Sequence, residues 1–255
     1  MIAFLPFALL FAAIRMILVP SDRKRCDWVL AASALSLLAT FVSLGTVYFL
    51  SKLRPYKVDE YIFKIDGLLG FQPSFAIGRL LVNWNWLKLA SITAYNLLPC
   101  TVVGIFSIYL WQKSQDEALV MGRTFILNLF LAVPFYLLFP ASGPVYAFLG
   151  FPFMQPGHFV PHAILLSAPP NCIPSVHTST ALLILWFSRQ WRLGSMVSTV
   201  YLALIVTATL GTGEHYFFDL IVAIPYSAFV LWIDQLVWKP QEQQKNQPPH
   251  GFVRE

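Results

Sequence analysis

Charge is what this chain has least of. Only 11% of its 255 residues are Asp, Glu, Lys or Arg, whereas 57% are hydrophobic and mean hydropathy is +0.65. Soluble domains carry about 25% charged residues, so this balance excludes an ordinary water-soluble fold and predicts an integral membrane protein. Cysteine is scarce too. Cys26, Cys100 and Cys172 stand far apart with no C-x-x-C pair, which leaves neither a disulfide framework nor a thiolate metal site, and no role is assigned to them. The short alternating segments of a β-barrel are missing. A net charge of +5 and a pI near 9.2 do not indicate nucleic acid, because the basic residues are scattered over short connections between apolar runs, as membrane topology requires.

What the chain does have is long apolar runs. A spanning helix needs about 20 apolar residues, and candidate spans fall at residues 2–20, 28–50, 87–111, 119–139, 175–188, 195–211 and 217–238. The fold class expected is all-α, a polytopic transmembrane helical bundle of about six to seven spans. The first run has no basic residue ahead of it and no cleavage signature behind it, so it reads as a retained helix. Residues 51–86 mix Lys, Arg, Asp and Glu with Trp84, Trp86 and other large apolar side chains, which predicts an amphipathic segment at the membrane interface. Residues 140–174 hold eight prolines and no Lys, Arg, Asp or Glu, so they cannot form one regular helix. This divides the chain into N-terminal helices (1–57), a membrane core (58–238) and a polar tail (239–255) expected to be disordered.

Seven spans put the termini on opposite sides. The connections after the first, third and fifth spans, with the tail, hold Arg23, Lys24, Arg25, Lys113, Arg189, Arg192, Lys239, Lys245 and Arg254. The other side has its cations only in the interfacial stretch. The positive-inside rule therefore predicts a cytoplasmic tail and an outer amino terminus in a plasma or inner membrane. It also puts His177 and His215 at one non-cytoplasmic face, periplasmic, exoplasmic or lumenal.

Two polar clusters interrupt the apolar pattern. Pro-Ser-Val-His at 174–177 marks a loop-to-helix entrance, where amides after Pro174 and Ser175 would form an anion site. Gly-Thr-Gly-Glu-His-Tyr-Phe-Phe-Asp at 211–219 places His215 and Asp219 four residues apart, on one face if helical. A carboxylate beside an imidazole fixes its tautomer and raises its nucleophilicity, and His177 would supply an acid. The segment from residue 175 to 188 rises only ~21 Å against a hydrocarbon core of ~30 Å. Either the helix runs on through Arg192 or His177 is recessed below the membrane surface. His158 and His162 are also four apart, but Pro156 and Pro161 break the segment and two ligands do not make a zinc site. Two rival readings remain: a non-enzymatic lipid-binding or transport protein with hydrated histidines, and an intramembrane serine hydrolase using Ser142, which lacks the G-x-S-x-G surroundings.

The Pro-Ser-Val-His and His-Tyr-Phe-Phe-Asp motifs resemble the second and third signatures of the type-2 phosphatidic acid phosphatase superfamily. The Gly-Glu-His-Tyr-Phe-Phe-Asp-Leu-Ile run at 213–221 is more similar to the inositol phosphorylceramide synthase branch and its bacterial relatives, as are Ile-Asp-Gly-Leu-Leu-Gly-Phe at 65–71, Tyr95 and Phe-Pro-Ala-Ser-Gly-Pro at 139–144. The resemblance implies a metal-independent lipid phosphatase or phosphotransferase with no cofactor, acting on a phospholipid or isoprenoid phosphate. His215 would attack phosphorus to give a phosphohistidine, Asp219 would orient it, and His177 would protonate the leaving oxygen. The chain departs from the wider pattern in lacking K-x6-R-P and in having Thr209 where an Arg precedes the nucleophile. Phosphate-binding groups are then sought in Ser175 and Arg79, the latter also suited to anchoring a lipid headgroup.

Overall fold

A computed structural model describes residues 20–153, 164–165 and 168–245. The expected span at residues 2–20, together with His158, His162 and the tail from residue 246, lies outside the described residues. The described chain is a helical bundle. Helix α1 (Pro20–Leu53) leads through β1 (Tyr56–Lys57) to short helices α2 (Asp59–Gly67) and α3 (Pro73–Asn83). Then follow α4 (Asn85–Asn96), α5 (Leu98–Gln112), α6 (Gln115–Leu138), the one-turn α7 (Pro144–Ala147), β2 (Ile164–Leu165), α8 (Val176–Ser188), α9 (Arg192–Gly211) and α10 (Phe217–Lys245). The strands pair antiparallel over two residues, a small addition to the all-α expectation.

Four described helices, α1, α6, α9 and α10, are long and apolar enough to cross a membrane, and α4 with α5 makes a fifth span bent by 60°. The span expected at 87–111 is this pair, with a break near its middle. Pro99 in the first turn of α5 has no N–H for the Tyr95 carbonyl, so the helical ladder breaks there. The bend falls next to a tyrosine that reaches the candidate site. Helix α8 stops at Ser188 after 13 residues, ~20 Å of rise, so it does not run on through Arg192 and the recessed placement of His177 fits better. Helix α10 continues to Lys245, into the first part of the polar tail.

Large apolar side chains cover the outside of the bundle, including Leu38, Leu44 and Phe49 of α1. Such a surface suits hydrocarbon. Hydroxyls on the spans satisfy themselves locally: Ser33 and Thr40 each donate to the carbonyl four residues back, both at 2.8 Å. Inside, α8 packs against α5, α6, α9 and α10. A buried polar cluster joins three of these helices. Asn128 of α6 donates to Thr180 at 3.0 Å and accepts from Ser179 at 2.5 Å, and Ser227 of α10 donates to Ser179 at 3.0 Å. Such a cluster ties helices together where apolar lipid supplies little drive to associate. Arg123 and Asp234 form a two-contact ion pair between α6 and α10, at 2.8 and 3.3 Å. Arg123 lies thirteen residues, ~20 Å, along α6 from Tyr136, which contacts Pro174.

The interfacial stretch folds over the opposite end. Asp59 accepts from the amides of Ser142 and Gly143 and from the Tyr216 hydroxyl, at 2.8 to 3.1 Å. Burial pushes the Asp59 carboxyl up to about 6, and those three donors limit the rise. Asp66 accepts from the amides of Phe217 and Phe218 at 2.8 and 2.9 Å, supplying the N-terminal cap of α10. The rings of Phe63, Phe75, Phe148 and Phe151 pack between these elements. Residues 51–86 thus form a cap bound to the loop ahead of α8 and to the His-Tyr-Phe-Phe-Asp motif, as well as an apolar surface bearing exposed Trp84 and Trp86.

Candidate active site

The first motif begins α8. Ser175 is the N-cap residue, its hydroxyl accepting from the Thr178 amide at 3.4 Å, while its own amide donates to the Asp219 carbonyl at 3.4 Å. Ser175 is fully buried. Two of the donors expected to face an anion are thus engaged within the protein, so Ser175 acts here as a cap and as a tie between the motifs. His177 follows one turn-position later, half-buried, with its ring stacked on Tyr95 at 4.3 Å between centroids. The Tyr95 hydroxyl lies 3.4 Å from His177 Nδ1 and donates a short hydrogen bond to the Glu214 carboxylate.

The second motif closes α9. After Gly211 the chain turns through Gly213, φ 76°, and the His215 amide returns to the Thr209 carbonyl at 3.2 Å. The Ser74 hydroxyl holds the His215 carbonyl at 2.8 Å, and the Cys172 thiol holds that of Glu214 at 3.0 Å. His215 precedes α10, so the one-helix-face argument is corrected: only Asp219 lies in the helix. Contact is made all the same. Asp219 Oδ2 accepts from the Tyr216 amide at 2.8 Å, which turns the carboxylate back toward His215 Nδ1, 3.5 Å away. The two side chains are 1% and 0% exposed. Among the described residues, neither His215 nitrogen nor Asp219 Oδ1 has a hydrogen-bond partner, so the 3.5 Å approach is an ion-pair contact short of a formed hydrogen bond. Buried polar atoms left open in this way are uncommon and need an explanation.

His177 and His215 face each other with ring centroids 6.0 Å apart. A cavity of about 750 Å³ reaches this point from between α1, α5 and α6. Its long part is apolar, lined by residues such as Val47, Phe106 and Val133, and its polar end is formed by Tyr95, Tyr136, Tyr146, Asn171, His177 and Glu214. His215 does not line it, and lies behind His177 and Glu214.

Arg79 is not brought to this cavity. It is exposed, and its guanidinium donates to the Pro152 carbonyl at 3.3 Å. Among the described residues the one cation lining the cavity is Arg123, at the far end and paired with Asp234. Ser142 is fully buried, its amide on Asp59 and its hydroxyl on the Ala168 carbonyl at 3.4 Å. Among the described residues, its hydrogen bonds go to neither histidine, so no Ser–His pair is formed there.

Sequence reading missed Cys172, Asp59 and Asp66, and gave Glu214 no role. Ligand atoms of Cys172, His215 and Asp219 lie within 4.8 Å of one another, so this trio could hold a divalent metal after a small contraction. Burial and then the negative charge of Asp219 push the Cys172 thiol well above its usual range, which opposes the thiolate a metal needs.

Helical spans thus enclose an apolar cavity that ends at His177, with the buried His215–Asp219 pair next to it outside the lining. The chain belongs to the PAP2 superfamily, whose profile matches residues 60–233 and so takes in α2 through most of α10, with both motifs. Membership points to phosphatase-type activity on a phosphorylated substrate. No curated protein and no solved structure matches the chain.

Proposed function

We propose that this protein is a lipid phosphatase or phosphotransferase working through a phosphohistidine on His215. The observation that carries the reading is His177 at the polar end of an apolar cavity, with the buried His215–Asp219 pair facing it, ring centroids 6.0 Å apart. In the first step Nε2 of His215 attacks phosphorus, the bond to the leaving oxygen breaks, and His177 gives that oxygen a proton. In the second, water or a lipid hydroxyl attacks phosphorus, His177 takes up the proton, and the bond to His215 breaks. Asp219 holds Nδ1–H and balances the charge that builds on the ring. The rings must part for a phosphoryl group to sit between them. Hydrolysis and transfer use the same residues, and likeness to the inositol phosphorylceramide synthase branch at 213–221 makes a lipid hydroxyl a natural acceptor. Neither step needs a metal. The distribution of Lys and Arg supports a site on the non-cytoplasmic side.

The test is product analysis on purified protein given phosphatidic acid, undecaprenyl diphosphate, phosphatidylglycerol and phosphatidylinositol, with and without ceramide. Turnover abolished in His215→Ala and kept in Ser142→Ala supports the proposal. Turnover unaffected by His215→Ala refutes it.

A further inference from the structure

The acid of the reaction has a support of its own. Glu214, next to the nucleophile in sequence, does not face His215: its carboxylate accepts the Tyr95 hydroxyl proton. A tyrosine has one proton to donate. With that proton on Glu214, the Tyr95 oxygen meets His177 Nδ1, at 3.4 Å, only as an acceptor. His177 Nδ1 must then carry its hydrogen, which leaves Nε2 as the basic nitrogen. Stacking at 4.3 Å and 24° between planes fixes the ring's orientation as well. We propose that Tyr95 and Glu214 are positioning residues that set the tautomer of His177 and supply the counter-charge for its protonated form. This rests on the assignment of His177 as the acid for the leaving oxygen.

Chemistry gives the arrangement its purpose. An imidazole that must become positively charged inside a bundle needs a negative partner, and among the described cavity-lining residues Glu214 is the one carboxylate. The two imidazoles therefore have separate carboxylates: Asp219 directly for His215, and Glu214 through Tyr95 for His177. The break at Pro99 sets α4 at an angle to α5 and brings Tyr95 across to α8.

General-acid support matters when the leaving group is poor and matters little when it is good, a contrast that a merely structural role cannot produce. Tyr95→Phe keeps the stacked ring and removes only the hydroxyl. It is expected to lower kcat about 10- to 100-fold on short-chain phosphatidic acid, with KM little changed, and less than about 3-fold on p-nitrophenyl phosphate. Glu214→Gln keeps an acceptor for Tyr95 but removes the charge, so it should give a smaller selective loss and move the acidic limb of the kcat profile. Equal losses on both substrates, or no loss on either, would overturn the proposal. A second measurement needs no turnover. In ¹⁵N-histidine-labelled protein, with His177→Gln to assign the signals, His177 should be the Nδ1–H tautomer and should lose that preference in Tyr95→Phe. An Nε2–H tautomer in the unaltered protein refutes the relay. Should His215→Ala leave turnover unchanged, the parent reading fails while the tautomer result still decides the relay.

Discussion

Gly143→Ala tests how closely the cap controls the nucleophile. Gly143 has φ 100° and ψ 159°, a region open essentially to glycine alone, and holding another residue there costs about 1–3 kcal/mol. Space is the second obstacle. A Cβ would stand 2.4 Å from the Glu214 carbonyl oxygen and 2.7 Å from that of Gly213, both backbone atoms, where ordinary contact begins at 3.4 Å. One segment must therefore retreat by about 1 Å. Gly143 is tied by its amide to Asp59 at 2.8 Å, and Val145 is tied to the Gly213 carbonyl at 2.9 Å. The shift thus falls on residues 213 and 214, immediately before His215. Misplacing a reacting group by 1 Å costs on the order of 100-fold in rate. The expected outcome is a stability loss of about 2–4 kcal/mol and a kcat at least tenfold lower per folded molecule. Thermal unfolding in detergent, paired with turnover normalised to the folded fraction, measures both. Activity within twofold of the unaltered protein, at unchanged melting temperature, would refute the proposed coupling between Gly143 and His215.

Other outcomes follow from the same contacts. Asp219→Asn retains an oxygen for the Tyr216 amide but removes the charge beside His215, so kcat should fall by on the order of 10³-fold or more with the fold intact, as checked by turnover and circular dichroism. Chelators should leave turnover unchanged. Added Zn²⁺ needs the Cys172 thiolate to occupy Cys172, His215 and Asp219, so it should inhibit more strongly as pH rises, and Cys172→Ala should relieve that inhibition in a titration of activity against free Zn²⁺. Asp59 has a native pKa raised from 3.8 to about 6. Its contribution to stability is therefore full below pH 3.8 and is lost as pH rises through about 6. That limb, up to roughly 3 kcal/mol, should flatten in Asp59→Asn when unfolding is followed across pH 4 to 7.

The parts of this molecule that announce themselves locally were legible in the sequence. Apolar length marked the helices, and His177, His215 and Asp219 stood out as polar residues at the ends of apolar runs. Proline makes the irregularity of residues 140–174 readable, but the run around Pro99 is apolar enough to read as one span, which hides the break there. Asp59 and Asp66 resembled ordinary interfacial charges, since each lies among lysines on a short amphipathic stretch. Their partners are amides 83 to 152 residues away, and no local pattern encodes such a contact. Glu214 and Tyr95 were visible within the resemblance, yet what joins them is the bend between α4 and α5. Arg79 illustrates the opposite failure: the need for a cation picked it out, whereas the fold turns it to the Pro152 carbonyl.

The cavity's outer rim includes Trp28, Leu35 and Leu44, which are also exposed on the bundle's surface. Its entrance therefore opens sideways, between helices, onto whatever surrounds the apolar belt. On the proposed reading, the enzyme samples its substrate from a two-dimensional solution. The quantity that sets its rate is then the substrate's mole fraction among neighbouring lipids, with bulk molarity nearly irrelevant. Diluting an assay with buffer should change little, while diluting it with inert detergent or lipid should slow turnover in proportion.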